Sequence, residues 1–317
     1  MASLLSIIAV PDDGSPSSSE SVVLEGKSLT ESVLDYEYAN GRRYHGFHAG
    51  QYLLPNDEQE QERMDLLHHI WRMLLGGELF YTELDSPQRI LDVGTGTGRW
   101  AVDCADLFPS AKITATDLSP IQPTMVPENL QFFVDDAESD WDWEPFDFIH
   151  GRCLGGSIMD WPRFYRQCFD HTMPGGRIEM QEHDVWIKSA GDKVPPWTLV
   201  WMNTLAEAFD THGQGLNVAD KHVQWMQKAG FVDVEDRVHQ VPIGSWAKDK
   251  RLKELGRWHL VQMVDAVEPY TLAMYTDVLG KDLEETQVSI EMVRKEFRGK
   301  KHHLYVRYHF ITGRRPD

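Results

Sequence analysis

Ile90-Leu91-Asp92-Val93-Gly94-Thr95-Gly96-Thr97-Gly98 decides the reading of this chain. A short apolar run ends beside a carboxylate and passes into three glycines alternating with threonines. A helical pattern follows from Thr97 to Phe108, and Pro109 closes it. Strand, glycine turn and helix in that order bring a ligand against the backbone, because glycine has no Cβ to hold it off. A lone glycine fingerprint is a weak signal; here the strand–turn–helix context is right.

Working outward, short apolar runs alternate with helical segments, the pattern of a parallel sheet with crossover helices. The runs are RILDVG (89–94), KITATDL (112–118), LQFFVDD (130–136), FDFIHGR (146–152) and RIEMQEH (177–183). A helix over Trp161–Thr172 and the turn Pro174-Gly175-Gly176 precede the last of these. Helices are expected over 197–210 and 219–229. Strands over 230–243 and 302–314 then form a C-terminal hairpin, giving seven strands. Upstream, a helix over Glu58–Leu75 has Asn56 or Asp57 as cap, acids in its first turn, and Met64, Leu67, Ile70 and Leu74 at helical spacing. Residues 248–297 carry no strand signal and are too long for an ordinary connection, so they read as a helical lid or a dimer interface, with Pro269 breaking the helix. The chain thus divides into 1–30, disordered or weakly ordered; 31–85, an N-terminal cap; 86–247, the core; 248–297, the insertion; and 298–317, the closing strand.

The 317 residues hold 31 Lys+Arg against 50 Asp+Glu, a net charge of −19. That balance argues against a nucleic-acid partner and against an anionic membrane surface, both of which need basic residues. No apolar run approaches the roughly 18 residues that span a bilayer. Cys104, Cys153 and Cys168 do not pair as CxxC and read as reduced thiols of a cytoplasmic or nuclear protein. The opening MASLLSIIAV lacks a basic segment before it and is not read as a signal peptide. His302, His303 and His309 read as structural, and no metal is expected.

Asp117 closes the second strand about 20 residues after the glycines, where a carboxylate can take both hydroxyls of a ribose. Nicotinamide and S-adenosylmethionine (SAM) enzymes share that feature. Asp92 before the first glycine, Asp135-Asp136-Ala137 at the end of the third strand and the C-terminal hairpin favour SAM.

At this point the sequence resembles a family. Gly94-Thr-Gly-Thr-Gly98, Thr116-Asp-Leu-Ser-Pro-Ile-Gln-Pro123 and Asp135-Asp-Ala-Glu138 resemble class I SAM-dependent methyltransferases. Asn40-Gly-Arg-Arg-Tyr-His-Gly46, Leu54-Pro-Asn-Asp-Glu-Gln-Glu-Gln-Glu-Arg63 and Asp117–Pro123 are similar to the LaeA-like fungal methyltransferases. The resemblance covers about Tyr36–Gly230. It implies a Rossmann-like α/β sheet and SAM as cofactor. Gly94, Gly96 and Gly98 would line its methionine and ribose side, Asp117 would bind the ribose, Leu118 would lie on the adenine, and Asp136 and Ala137 would meet the adenine edge. Arg152 and Tyr44 are further candidates. Many relatives have Cys at Thr95, a small departure.

Methyl transfer needs in-line approach, desolvation and at times a base. His150, Glu182, His183 and Asp184 fall at the carboxyl ends of the fourth and fifth strands, with His183 ranked first and Glu182 second. Alternation places Glu182 and Asp184 on one face and His183 on the other. The acid run Asp57–Glu62 reads as a solvated helix start that, in the resemblance, also closes over the cofactor. Trp186, Trp197, Trp201, Trp225, Trp246 and Trp258, with Met202, Met226, Met263 and Met274, fall after the cofactor half and could wall a flat apolar acceptor or form an ordinary core. The expected function is methylation of an O or N atom of a small secondary metabolite. A regulatory role in a protein complex and a non-methylating reaction are the alternatives, and a homodimer or regulatory partner stays open.

Overall fold

The computed structural model describes residues 5–7, 36–191, 193–299 and 301–317. The elements in chain order are β1 (Leu5–Ile7), β2 (Glu37–Ala39), β3 (Arg42–Tyr44), α1 (Glu58–Leu74), β4 (Arg89–Val93), α2 (Arg99–Leu107), β5 (Lys112–Asp117), β6 (Leu130–Val134) and β7 (Phe146–Arg152). There follow α3 (Trp161–Asp170), β8 (Thr172–His183), β9 (Lys188–Ser189), α4 (Pro196–His212), α5 (His222–Ala229), β10 (Val232–Pro242), α6 (Lys250–Ala273), α7 (Leu283–Arg298) and β11 (Leu304–Arg314).

One sheet runs β1-β6-β5-β4-β7-β8-β11-β10, with β9 on β11. Strands β6, β5, β4, β7 and β8 are parallel. β11 lies antiparallel between β8 and β10. The chain is therefore a mixed α/β protein whose central strands are continuous apolar runs, as strands covered on both faces must be. The order reverses between β4 and β7, which opens a crevice at the carboxyl ends of those strands. The seven expected strands are all present. β9 and the β2–β3 hairpin were not expected; Asn40 and Gly41, at φ 51° and 77°, make the hairpin's turn. Leu5–Ile7 pair antiparallel with β6, so three residues of the segment read as weakly ordered are a strand. The rest of 1–30 lies outside the described residues.

Two boundaries differ from expectation. β8 begins at Thr172 rather than Arg177 and carries Pro174-Gly175-Gly176 within it, across an irregular register with β7 between Phe146 and Phe148. β11 begins at Leu304, so His302 and His303 precede it.

Pro269 does not break its helix. α6 continues four residues beyond it, then widens into a π turn over Met274–Val278. Proline removes the hydrogen bond to Asp265 O, but Asp265 is exposed and water can take that carbonyl. On the other side Val267, Leu272 and Met274 are buried in a core shared with Trp71 of α1, Leu205 of α4 and Tyr308 of β11. The insertion is thus built into the largest apolar cluster of the described residues.

The connection from α1 to β4 is held by Glu179 on β8, which is fully buried. Its carboxylate accepts from Tyr81 N at 3.0 Å, Thr82 N at 2.9 Å, Thr82 Oγ1 at 2.7 Å and Gln181 Nε2 at 2.9 Å. Removing the acceptor strands these donors. Glu179→Leu is expected to lower unfolding free energy by about 2–4 kcal/mol. Urea denaturation checks this; a loss below about 0.5 kcal/mol would refute the account.

Candidate functional site

The crevice holds a cavity of about 140 Å³. Its floor is the glycine turn and the ends of β5, β6 and β7; its roof is the 51–56 segment, α1 and Tyr270. Gly94, Gly96, Asp117, Leu118, Asp136, Ala137 and Arg152 all line it. Gly98 does not. A Cβ there would sit 2.5 Å from Phe132 Cζ, so Gly98 lets α2 pack on β6 behind the cavity. Tyr44 is buried under the hairpin and is also absent from the lining.

The turn is fixed from below. Thr95 Oγ1 donates to Asp92 Oδ2 at 2.6 Å, and His150 Nδ1 donates to Asp92 Oδ1 at 2.7 Å. The His150 ring stacks on Trp100, centroids 3.8 Å apart, and its Nε2 has no protein partner. Gly94, at φ 66°, holds a backbone conformation that strains any side chain, and a Cβ there would sit 2.5 Å from Leu154 Cδ2 and push that side chain aside.

Asp117 accepts from Gly96 N at 2.8 Å and from Ser119 N at 2.9 Å. Burial pushes its carboxyl up to about 6 against those two donors. Asp135 is also pushed up to about 6 by burial. Asp136 Oδ2 lies 3.2 Å from Gln51 Nε2 and 3.3 Å from His48 Nδ1, so the N-terminal segment is tied across the cavity mouth. Arg152 Nη2 donates to His68 Nδ1 at 3.0 Å, and His68 Nε2 donates to Asp103 at 3.1 Å. Burial, then the Arg152 charge, lowers His68 to about 4, so the ring is a neutral relay.

Sequence reasoning missed Arg63. It pairs with Glu60 at 2.6 Å, both buried, while its Nη1 has no partner and the residue lines the cavity. Glu60 is 2% exposed, so the acid run is not solvated throughout. The signal was there: Glu60, Arg63, Leu67, Ile70 and Trp71 share one helix face.

Through Tyr270 the cavity adjoins a second, smaller one, lined by His183 and Asp184, Trp201 and Leu205 of α4, Tyr308 of β11 and one face of α6. β8 ends at His183, so alternation stops there, and Asp184 lines this cavity beside His183 rather than facing away. Burial lowers the His183 imidazole. Glu182 is buried; its oxygens accept from Gly155 N at 2.9 Å and His183 N at 3.0 Å, and burial pushes it up to about 7. The polar atoms of Cys153, Glu182 and His183 lie within 4.8 Å of one another where the two cavities meet. Burial holds Cys153 as a thiol, up to about 12. Of the Trp and Met residues, Trp201 and Met263 reach the second cavity; Trp225 stacks on Trp161, and Trp197 and Trp258 are partly exposed. His309 is buried between Asp236 at 2.8 Å and Asp184 at 3.4 Å, a strand-bracing role.

Residues 59–236 match the family model described as a methyltransferase domain. The chain belongs to the methyltransferase family. This methyltransferase is 43% identical over 294 residues to methyltransferase pytC of Aspergillus terreus, covering 91% of each chain. It is 37% identical to secondary metabolism regulator LAE1 of Cochliobolus heterostrophus, over 88% of this chain and 94% of that one. It is 33% identical to protein-methionine methyltransferase laeA of Emericella nidulans, over 87% of this chain and 76% of that one. Its cofactor is SAM, and the site's chemistry fits that group: a glycine turn that comes close to a ligand, a ribose-type carboxylate and unpartnered nitrogens on Arg63 and His150. Among the described residues no helix is long and apolar enough to cross a membrane.

Asp117→Ala is expected to weaken S-adenosylhomocysteine binding roughly tenfold to hundredfold at pH 8, or about 1–3 kcal/mol. In the unchanged protein, affinity should fall as pH drops through about 6, where Asp117 takes up a proton. Calorimetry across pH checks both, and equal affinity in the variant would remove Asp117 from the site.

Proposed function

We propose that this methyltransferase transfers the methyl group of SAM to an oxygen or nitrogen atom of a small, flat secondary metabolite. The observation that carries the reading is the second cavity, joined to the first at Tyr270 and roofed by α6. An aromatic wall beside a polar corner suits a small acceptor.

When bound, SAM supplies an electrophilic methyl on a sulfonium. The chain's own part is holding, drying and orienting. The backbone at Gly94 and Gly96 would cradle the methionine and ribose side, Asp117 would accept from the ribose hydroxyls, Leu118 would cover the adenine, and Asp136 and Ala137 would meet its edge; all line the one cavity. Arg63 and Arg152 line the same cavity and would serve as cations for a carboxylate. Gly98 supports the turn from behind, and Tyr44 supports the hairpin. His183, neutral through burial, can take a proton from a phenol or acid. Glu182 holds the Gly155 turn and the His183 backbone. The segment 45–56, tied to Asp136 by Gln51, and α6 exclude water.

A second reading, action within a regulatory protein complex, draws on the similarity to LAE1. Incubation of the purified protein with labelled SAM and fungal extract separates the two. Label is expected in small molecules. His183→Ala should lower that incorporation roughly hundredfold. Ala266→Trp, which fills the second cavity, should abolish it while S-adenosylhomocysteine still binds. Label confined to protein, unaffected by Ala266→Trp, would overturn the small-molecule reading.

A further inference from the structure

The second cavity contains two buried polar side chains on one face of α6, each with one polar atom that no protein group satisfies. His259 is fully buried and Gln262 is 3% exposed. They are three residues apart, and Met263, Ala266 and Tyr270 continue the same face along the lining. His259 Nδ1 lies 2.9 Å from Pro242 O, so the proton sits on Nδ1 and donates to that carbonyl. Its Nε2 then carries a lone pair, and this atom is buried with no partner. Burial holds His259 down at about 4, so the ring is neutral at physiological pH and Nε2 is an acceptor. Gln262 Oε1 is likewise buried and unpartnered. Two buried acceptors without a protein donor call for a partner, since native folds pair nearly all such groups.

The surroundings narrow the reason. Trp201, Tyr270 and Tyr308 give the wall aromatic faces, with Leu205 and Val306 between them. Trp201 has its own indole N–H donating to Thr271 Oγ1 at 2.7 Å, so it offers the cavity only its ring. Of the two carboxylates beside His183, Asp184 is paired with Arg307 at 2.6 Å, and the Glu182 oxygens are taken by Gly155 N and His183 N, so neither is placed to anchor a cation here. A cavity with aromatic walls, two neutral acceptors and no free charge fits a neutral planar ring bearing hydroxyl groups.

We propose that His259 and Gln262 are specificity-determining residues that select a planar, hydroxylated aromatic acceptor by accepting hydrogen bonds from two of its O–H groups. The proposal rests on the small-molecule methyltransferase reading and deepens it. One hydroxyl donates to His259 Nε2 and another to Gln262 Oε1, while the ring lies among Trp201, Tyr270 and Tyr308. Neither residue is a catalytic one; they fix the pose in which another acceptor atom reaches the junction near His183.

The test uses naphthoresorcinol, a planar diol, against its dimethyl ether, which keeps the ring and loses both donors. Binding to the full chain loaded with S-adenosylhomocysteine is followed by calorimetry. The diol is expected to bind roughly tenfold to hundredfold tighter than the ether. Gln262→Leu and His259→Phe should each bring that ratio down towards one while S-adenosylhomocysteine binds as before. Because the ratio is taken within one variant, a general loss of stability does not mimic the effect. The proposal is overturned by a ratio near one in the unchanged protein, by a ratio that survives in both variants, or by a loaded protein that shows no saturable diol binding. Failure of S-adenosylhomocysteine to bind at all overturns the underlying methyltransferase reading instead.

Discussion

The carboxylate of Asp92 is held between a hydroxyl and an imidazole, Thr95 Oγ1 at 2.6 Å and His150 Nδ1 at 2.7 Å, and is 2% exposed. A dehydrated carboxylate costs several kcal/mol unless its oxygens are bonded, so the two donors cannot drift. That constraint spreads. Thr95 pins the glycine turn to the end of β4. His150 pins β7 beside it and stacks on Trp100, whose indole N–H donates to Leu79 O at 3.3 Å. Leu79 opens the connection that Glu179 holds to β8. With the turn so placed, Gly96 N points at Asp117, and the cofactor cavity has its floor. A Cys at position 95 would keep the geometry with a weaker donor, since a thiol bonds less strongly than a hydroxyl.

The cofactor half was legible because it is local. Gly94, Gly96, Asp117, Leu118, Asp136, Ala137 and Arg152 each sit within three residues of a strand end, and parallel order brings strand ends together without further information. Gly98 looks the same in sequence, yet its neighbour Phe132 is a side chain from a distant strand, which no local pattern displays. Tyr44 was placed by resemblance to a motif block, but that block folds into a hairpin whose buried face turns it away from the crevice. Glu60 and Arg63 were lost in a run of charges. Their burial depends on α6 covering that face of α1, and nothing in residues 57–63 announces α6.

The region around the second cavity was illegible for the same reason in stronger form. Its cavity draws on β8, α4, α6 and β11, elements more than a hundred residues apart at the extremes. Even the local signal misled at Pro269, where propensity alone ends a helix at a cost of about 3 kcal/mol. Here tertiary burial of Val267, Leu272 and Met274 outweighs that cost, and the lost hydrogen bond falls on the solvent side. The outcome matters for function: because α6 runs on through Pro269, Tyr270 stands between the two cavities instead of swinging out with a new helix.

Charge completes the argument. The chain carries a net charge of −19, but the acids that matter at the site are those least willing to be charged: Asp117 and Asp135 pushed up to about 6 and Glu182 to about 7, all by burial. A group held near neutrality by desolvation responds strongly to whatever enters beside it. Ligand hydroxyls that donate to Asp117, or a cation placed in the same cavity, favour its ionised form and draw the proton off. In the ligand-free protein these raised values mean that folding takes up protons, so their contribution to stability is present at acid pH and is lost as pH rises through about 6 to 7. A cationic, hydroxyl-bearing cofactor bound in that cavity would offset this penalty, so the filled site would be the more stable one at neutral pH.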